Sequence, residues 1–173
     1  HGGWDKVDCA QEHVREYNRS LFGWGGTTTD AVKEIKDGRR DVLKEWWRPQ
    51  GEPNTGCGNG VAMKVAPLVL FETVRSRYSR PKHLLHLCLN LGSITHPDPR
   101  ASFAAYAIAL VIAQVIHHPI ITTTKKAENL FLEYLLEEVK KLEHDYVDFR
   151  FHQDTLSGRL RRIRRSLDSA EKV

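Results

Sequence analysis

Residues 56–60 read Gly-Cys-Gly-Asn-Gly and stand immediately before a helical run that begins at Gly60. Three glycines in five positions let the backbone turn tightly and come close to a bound group. A loop of this kind feeding a helix N-terminus presents N–H groups without intrahelical partners and the positive end of the helix dipole, which suits a phosphate or diphosphate. Gly56, Cys57, Gly58, Asn59 and Gly60 are therefore candidate ligand-facing positions, with the Asn59 amide able to donate and accept. Many glycine-rich turns ahead of helices bind nothing, so the loop alone leaves both readings open. The second candidate is His96, between Thr95 and Pro97 and just before the most apolar stretch of the chain. An imidazole there can bond a ribose hydroxyl or a phosphate, or fix its own loop through a backbone carbonyl.

Other chemistries find less support. Cys57 as a nucleophile would need a base to make its thiolate, and the sequence places none beside it. The three cysteines, Cys9, Cys57 and Cys88, are widely spaced and form no C-x-x-C pair, so neither a zinc site nor a disulfide framework is indicated. A reducing, cytoplasmic setting is the expectation, and no signal peptide is seen. The net charge is only +4, which argues weakly for a nucleic-acid partner. The run Arg159, Arg161, Arg162, Arg164 and Arg165 reads as a solvated helix face, with contact to an acidic partner as the other reading.

The elements that must position these residues are helical nearly throughout. Apolar spacing predicts a helix over Val7–Asn18, and a short one ending near Gly38 with Thr27 to Thr29 offering N-cap hydroxyls. Residues 46–58 read as a loop, and Gly60–Ser76 as a helix that Pro67 kinks or restarts. Further helices are expected over Pro81–Leu91, Arg100–His117, Lys125–Asp145 and Leu156–Glu171, with a two-proline loop over Ser93–Pro99. In the helix over Lys125–Asp145, Leu130, Phe131, Tyr134, Leu135, Val139 and Leu142 share one face; in the last, Leu156, Leu160, Ile163, Leu167 and Ala170 form a core-facing stripe. The run over Arg100–His117 is short of the roughly 20 apolar residues a bilayer span needs, and reads as the buried helix of a soluble bundle. No strand alternation is present, so the fold class is all-α, a compact multi-helix bundle in a single domain over residues 1–173.

Two strings carry a family resemblance. Gly56-Cys57-Gly58-Asn59-Gly60-Val61-Ala62-Met63-Lys64-Val65-Ala66-Pro67 resembles the central GNG-A-M-R-V-A-P signature of the ADP-ribosylglycohydrolases, and Ser93 to Ala101 resembles their S-x-T-H-x-x-P-x-A signature. His1 to Asp5, Phe22 to Gly25 and Ser157 to Leu160 are similar to flanking segments of the same domain. The resemblance implies an all-helical fold that binds ADP-ribose in a cleft and hydrolyses its link to a protein side chain, to poly(ADP-ribose) or to a related group. It places the loop matching Gly56–Gly60 against the diphosphate and the histidine matching His96 against a ribose. ADP-ribose or an ADP-ribosylated protein is the implied partner, with no nucleic acid and no membrane.

The resemblance also implies two magnesium ions, held by a Thr-Asp-Asp motif early in the domain and an Asp-x-Asp-Thr motif late in it. Neither motif is in this sequence; Thr29-Asp30 matches superficially, inside the short second helix and without a second adjacent Asp. The chain thus resembles the middle of the domain, apparently truncated at both ends. Magnesium is then expected for the complete domain and not for this chain alone, and helix faces left exposed would favour self-association. The rival expectation is a non-catalytic ADP-ribose-binding or crystallin-like structural relative.

Overall fold

The computed structural model describes residues 4–20, 22–44, 56–76, 80–117, 125–145, 158 and 160–165, and among these there are helices and no strand. The chain divides into two compact units, His1–Ala109 and Leu110–Val173.

The first unit begins with α1 (Lys6–Arg19), whose N-cap Asp5 accepts from the Asp8 N–H at 2.9 Å. A turn through Gly23, at a φ of 86° that favours glycine, leads into α2 (Gly26–Lys36). The threonines do not cap α2 as the sequence suggested. Gly25 is its N-cap, no side chain bonds to that end, and Thr27 to Thr29 lie within the helix. α3 (Gly60–Ser76) runs through Pro67, so its first turn is at Gly60. The N–H that Pro67 lacks would have met the Met63 carbonyl, on a side of the helix where Met63 itself is exposed.

α4 (Pro81–Thr95) opens with proline in its first turn and continues four residues past its expected end at Leu91. The predicted loop over Ser93–Pro99 shrinks to residues 96–98, because Ser93, Ile94 and Thr95 are all buried and packing keeps them helical. The start of α5 (Pro99–His117) is set locally: Pro99 takes its first position and the Asp98 carboxylate accepts from the Arg100 N–H at 2.9 Å.

The core of this unit is made by Val32, Val61, Val65, Val69, Leu84, Cys88, Ile94 and Phe103, drawn from α2 to α5. Burial pushes the Cys88 thiol up to about 12, so it packs as a small apolar group. The buried Glu72 of α3 accepts from Arg75 Nη2 at 3.1 Å and meets His83 Nε2 of α4 at 3.3 Å, tying the two helices. α4 and α5 meet at Gly92, where a Cβ would lie 1.9 Å from Ser102 Oγ.

In the second unit, α6 (Lys125–Asp145) has the expected bounds. Its buried face is narrower than the one read from the sequence: Leu135, Leu136, Val139 and Leu142 are buried, whereas Leu130 is 59% and Tyr134 37% exposed. Arg164, in the helical residues 160–165, pairs with Glu133 at 3.2 Å. Ile163, expected in a core stripe, is 55% exposed. α5 is long and apolar enough to cross a membrane by length and composition. Its Phe103, Tyr106 and Leu110 are buried and its Ile108, Val115 and Ile116 are not. The expected helix bounds at Leu156 and Glu171, and residues 46–55 of the expected loop, lie outside the described residues.

The Gly92–Ser102 approach yields a test. Gly92→Ala forces an overpacked contact and should cost about 1–3 kcal/mol of unfolding free energy. Ser102→Ala should be neutral or stabilising, because Ser102 Oγ is buried with no hydrogen-bond partner among the described residues. Denaturant titration of both variants measures this; an undisturbed Gly92→Ala protein contradicts the packing described.

Candidate functional site

Two helix N-termini of the first unit open on one cavity of about 440 Å³. From α2 come Gly25, Gly26, Thr27 and Thr28, and from the loop and α3 come Gly58, Asn59, Gly60, Met63 and Lys64. Neither helix has an acidic residue in its first turn. The first intrahelical bonds run from Thr29 N–H to Gly25 O and from Met63 N–H to Asn59 O, so the preceding N–H groups at both ends lack an intrahelical acceptor. His13, Gly23, Trp24 and His96 complete the lining. Trp24 is held as a wall by its indole N–H, which donates to Ser20 O at 2.8 Å, and by edge-on contact with Tyr17.

The glycines of the loop differ in role. Gly56 is buried at a φ of 75°, and a Cβ on it would lie 2.8 Å from Thr27 Cγ2 and 3.0 Å from Pro97 Cδ. It therefore fastens the loop to α2 and to the segment after α4, and faces a separate small cleft of about 40 Å³. Gly60 makes room for His96: a Cβ there would lie 2.6 Å from His96 Cε1. Cys57 is exposed and lines neither cavity. Of the positions singled out in the sequence, Gly58, Asn59, Gly60 and His96 thus converge, Gly56 supports them from behind, and Cys57 stands apart.

The polar floor of the cavity is a chain of hydrogen bonds whose directions can be worked out. His13 Nδ1 lies 2.7 Å from the Cys9 carbonyl, which can only accept, so Nδ1 carries a proton. Burial, and then the Lys64 charge, lower the His13 pKa, so the ring is neutral and its Nε2 is an acceptor. Lys64 Nζ donates to that Nε2 at 3.1 Å and to Thr95 Oγ1 at 2.7 Å. Burial, then Lys64, Arg40 and His13, bring the His96 pKa down to about 4, so this ring is neutral too. Thr95 Oγ1 accepts from Lys64 and lies 2.8 Å from His96 Nδ1, which can accept the hydroxyl proton. In that tautomer His96 presents an Nε2–H donor along the edge that rests on Gly58 and Gly60. Its side chain is held by a hydroxyl, and the alternative of a bond to a backbone carbonyl is not what the structure shows among the described residues.

Supporting this chain, the buried Arg40 donates to the Ile94 carbonyl at 2.7 Å and to Glu34 at 3.0 Å. A cation at the last carbonyls of α4 fixes that helix end, and with it Thr95 and His96. Lys64, Thr95 and Trp24 lie in the strings that carry the resemblance but were given no role of their own, and His13 lies in none of them. Lys64 sits one turn inside α3 from Gly60, a spacing that returns it to the loop; His13 is 51 residues from Lys64, and no local pattern joins them. Cys9 lies 3.9 Å from His13, and burial raises its pKa, so it remains a thiol.

An all-helical domain with a cleft set at two helix N-termini is the class these features define. The family model for ADP-ribosylglycohydrolases matches residues 1–172, and the chain belongs to that family. No curated protein and no solved structure matches the chain at a significant level.

Lys64 makes the site costly. Burial brings its pKa down from 10.5 to about 8, so below pH 8 the folded state holds a charge it disfavours, and that penalty is relieved as pH rises from about 8 to 10.5. Lys64→Met removes the effect. The unfolding free energy of the wild type should gain on that of the variant by on the order of 1–3 kcal/mol between pH 7 and 10.5. Urea titrations across that range test it; a difference that does not change with pH contradicts the burial of the charge.

Proposed function

We propose that this chain binds ADP-ribose, free or attached to a protein, through its diphosphate and a ribose. The observation that supports this most is the convergence on one cavity of two helix N-termini, the Lys64 ammonium and the His96 Nε2–H, all of which favour acceptor oxygens. Asn59 adds an amide at the rim and Trp24 a flat apolar wall. Three free thiols support a reducing, cytoplasmic setting. Met63, Leu70, Phe71 and Val74 are exposed along α3, which supports self-association through that face.

Hydrolysis with magnesium is what family membership suggests for a complete domain. The cavity residues do not fit that ion: they offer the Thr27 and Thr28 hydroxyls, the Asn59 amide and two imidazoles, whereas magnesium takes hard oxygen donors, carboxylates foremost. Among the described residues no group of three or more His, Cys, Asp or Glu side chains could hold a metal ion. What these residues do is bind and orient the ligand, and this donor set favours a binding module as the second reading.

Calorimetry with ADP-ribose tests the proposal. Binding is expected, and His96→Ala and Asn59→Ala should each weaken it by roughly tenfold, the worth of one well-placed hydrogen bond. Helical circular dichroism should be unchanged in both. No binding at millimolar ligand by the folded wild type would sink the ADP-ribose reading.

A further inference from the structure

We propose that the cavity takes its anionic ligand without a metal ion: Lys64 supplies from within the fold the positive charge that a divalent cation would bring, and turns such a cation away. This rests on the ADP-ribose reading of the site and adds to it the source of the counter-charge.

The groups that face Lys64 make the case. From α1 come the Cys9 thiol and the neutral His13 ring; from the end of α4 come the Thr95 hydroxyl and the neutral His96 ring. Glu12 is exposed, and its effect on His13 is the smallest of those acting there. Arg40, beyond α2, acts on His96 and adds positive charge; its own pair is Glu34, which does not line this cavity. No carboxylate lines the cavity among the described residues.

Lys64 is half-buried, and a lysine so placed for structural reasons is expected beside a carboxylate, because withdrawing an unpaired charge from water is costly. Here both partners of Lys64 are neutral acceptors, so among the described residues its charge has no counter-ion in contact. An ammonium has three N–H donors, and these two partners use two of them. The third is available to a ligand oxygen. A phosphate group placed in the cavity would meet that N–H, the His96 donor and the amide-rich ends of α2 and α3. A divalent cation in the same space would meet an ammonium and two positive dipole ends, with only hydroxyl, amide and imidazole donors to offset them.

The field has a pH signature. Anion binding favours the protonated amine, so affinity should hold near pH 7 and fall as Lys64 loses its proton above about 8, with the His96 ring, at about 4, neutral across that range.

The decisive experiment is calorimetry on the full chain at pH 7 with ADP-ribose, and separately with inorganic pyrophosphate, each in EDTA and in magnesium chloride. ADP-ribose should bind in EDTA at least as tightly as in magnesium. Lys64→Met should weaken binding by roughly 10- to 100-fold, and Lys64→Arg should keep most of it. Should Lys64→Met fail to fold, the comparison of EDTA with magnesium on the wild type still decides. Binding that requires magnesium overturns this inference and leaves the ADP-ribose reading standing. If ADP-ribose binds in neither condition, that reading fails, and pyrophosphate then judges the counter-charge: binding in EDTA supports it, and no binding overturns it.

Discussion

The Lys64 ammonium donates in two directions, to His13 on α1 and to Thr95 at the end of α4, and so ties α3 to the two helices that bring the imidazoles to the cavity. Each partner is fixed in turn. The Cys9 carbonyl sets the tautomer of His13, and the Thr95 hydroxyl relays the direction of the Lys64 bond to His96. The Cys9 carbonyl and the Lys64 ammonium together thus assign donor and acceptor edges to the imidazoles. Burial of Lys64 is unfavourable on its own account, with its pKa brought down to about 8. A fold that tolerates such a group in an open cavity, with no carboxylate beside it, has placed strain where a ligand can relieve it.

Close backbone approach is the second constraint, and glycine supplies it at the points that matter. Gly60 lets the His96 ring lie against the start of α3, Gly56 lets the loop seat between Thr27 and Pro97, and Gly92 lets α4 meet α5 at Ser102. Larger side chains at these positions would part the elements by the width of a methyl group and open the hydrogen-bond chain. The Arg40–Ile94 bond acts in the same sense, since it pins the helix end that carries Thr95 and His96.

Much of the fold was legible in the sequence because long apolar periods dominate it. The bounds of α6 and the start of α3 follow directly from spacing. The end of α4 did not, because Ser93 and Thr95 are polar residues that the tertiary structure buries. The faces of α6 and of residues 160–165 were read too broadly, since period alone cannot tell how much of an apolar stripe is covered. At the site, the glycine loop and His96 announced themselves by residue type. Lys64 and His13 did not: each is an ordinary member of an amphipathic helix until the fold brings them to 3.1 Å. Cys57 shows the converse, standing inside a signature string while its side chain faces solvent.

Membership of the ADP-ribosylglycohydrolase family gives this chain a scaffold whose cleft sits at helix N-termini, and its own residues give that cleft a charge. The proposed ligand recognition rests on two neutral imidazoles in opposite tautomers, His13 set by the Cys9 carbonyl and His96 by the Thr95 hydroxyl. Long-range ¹⁵N–¹H correlation spectra of the histidine rings at pH 7 test that directly. His13 is predicted to be protonated at Nδ1 and His96 at Nε2, both neutral. The His96 Nε2 resonance should move on addition of ADP-ribose. An imidazolium at either position, or the reverse tautomers, would contradict the account.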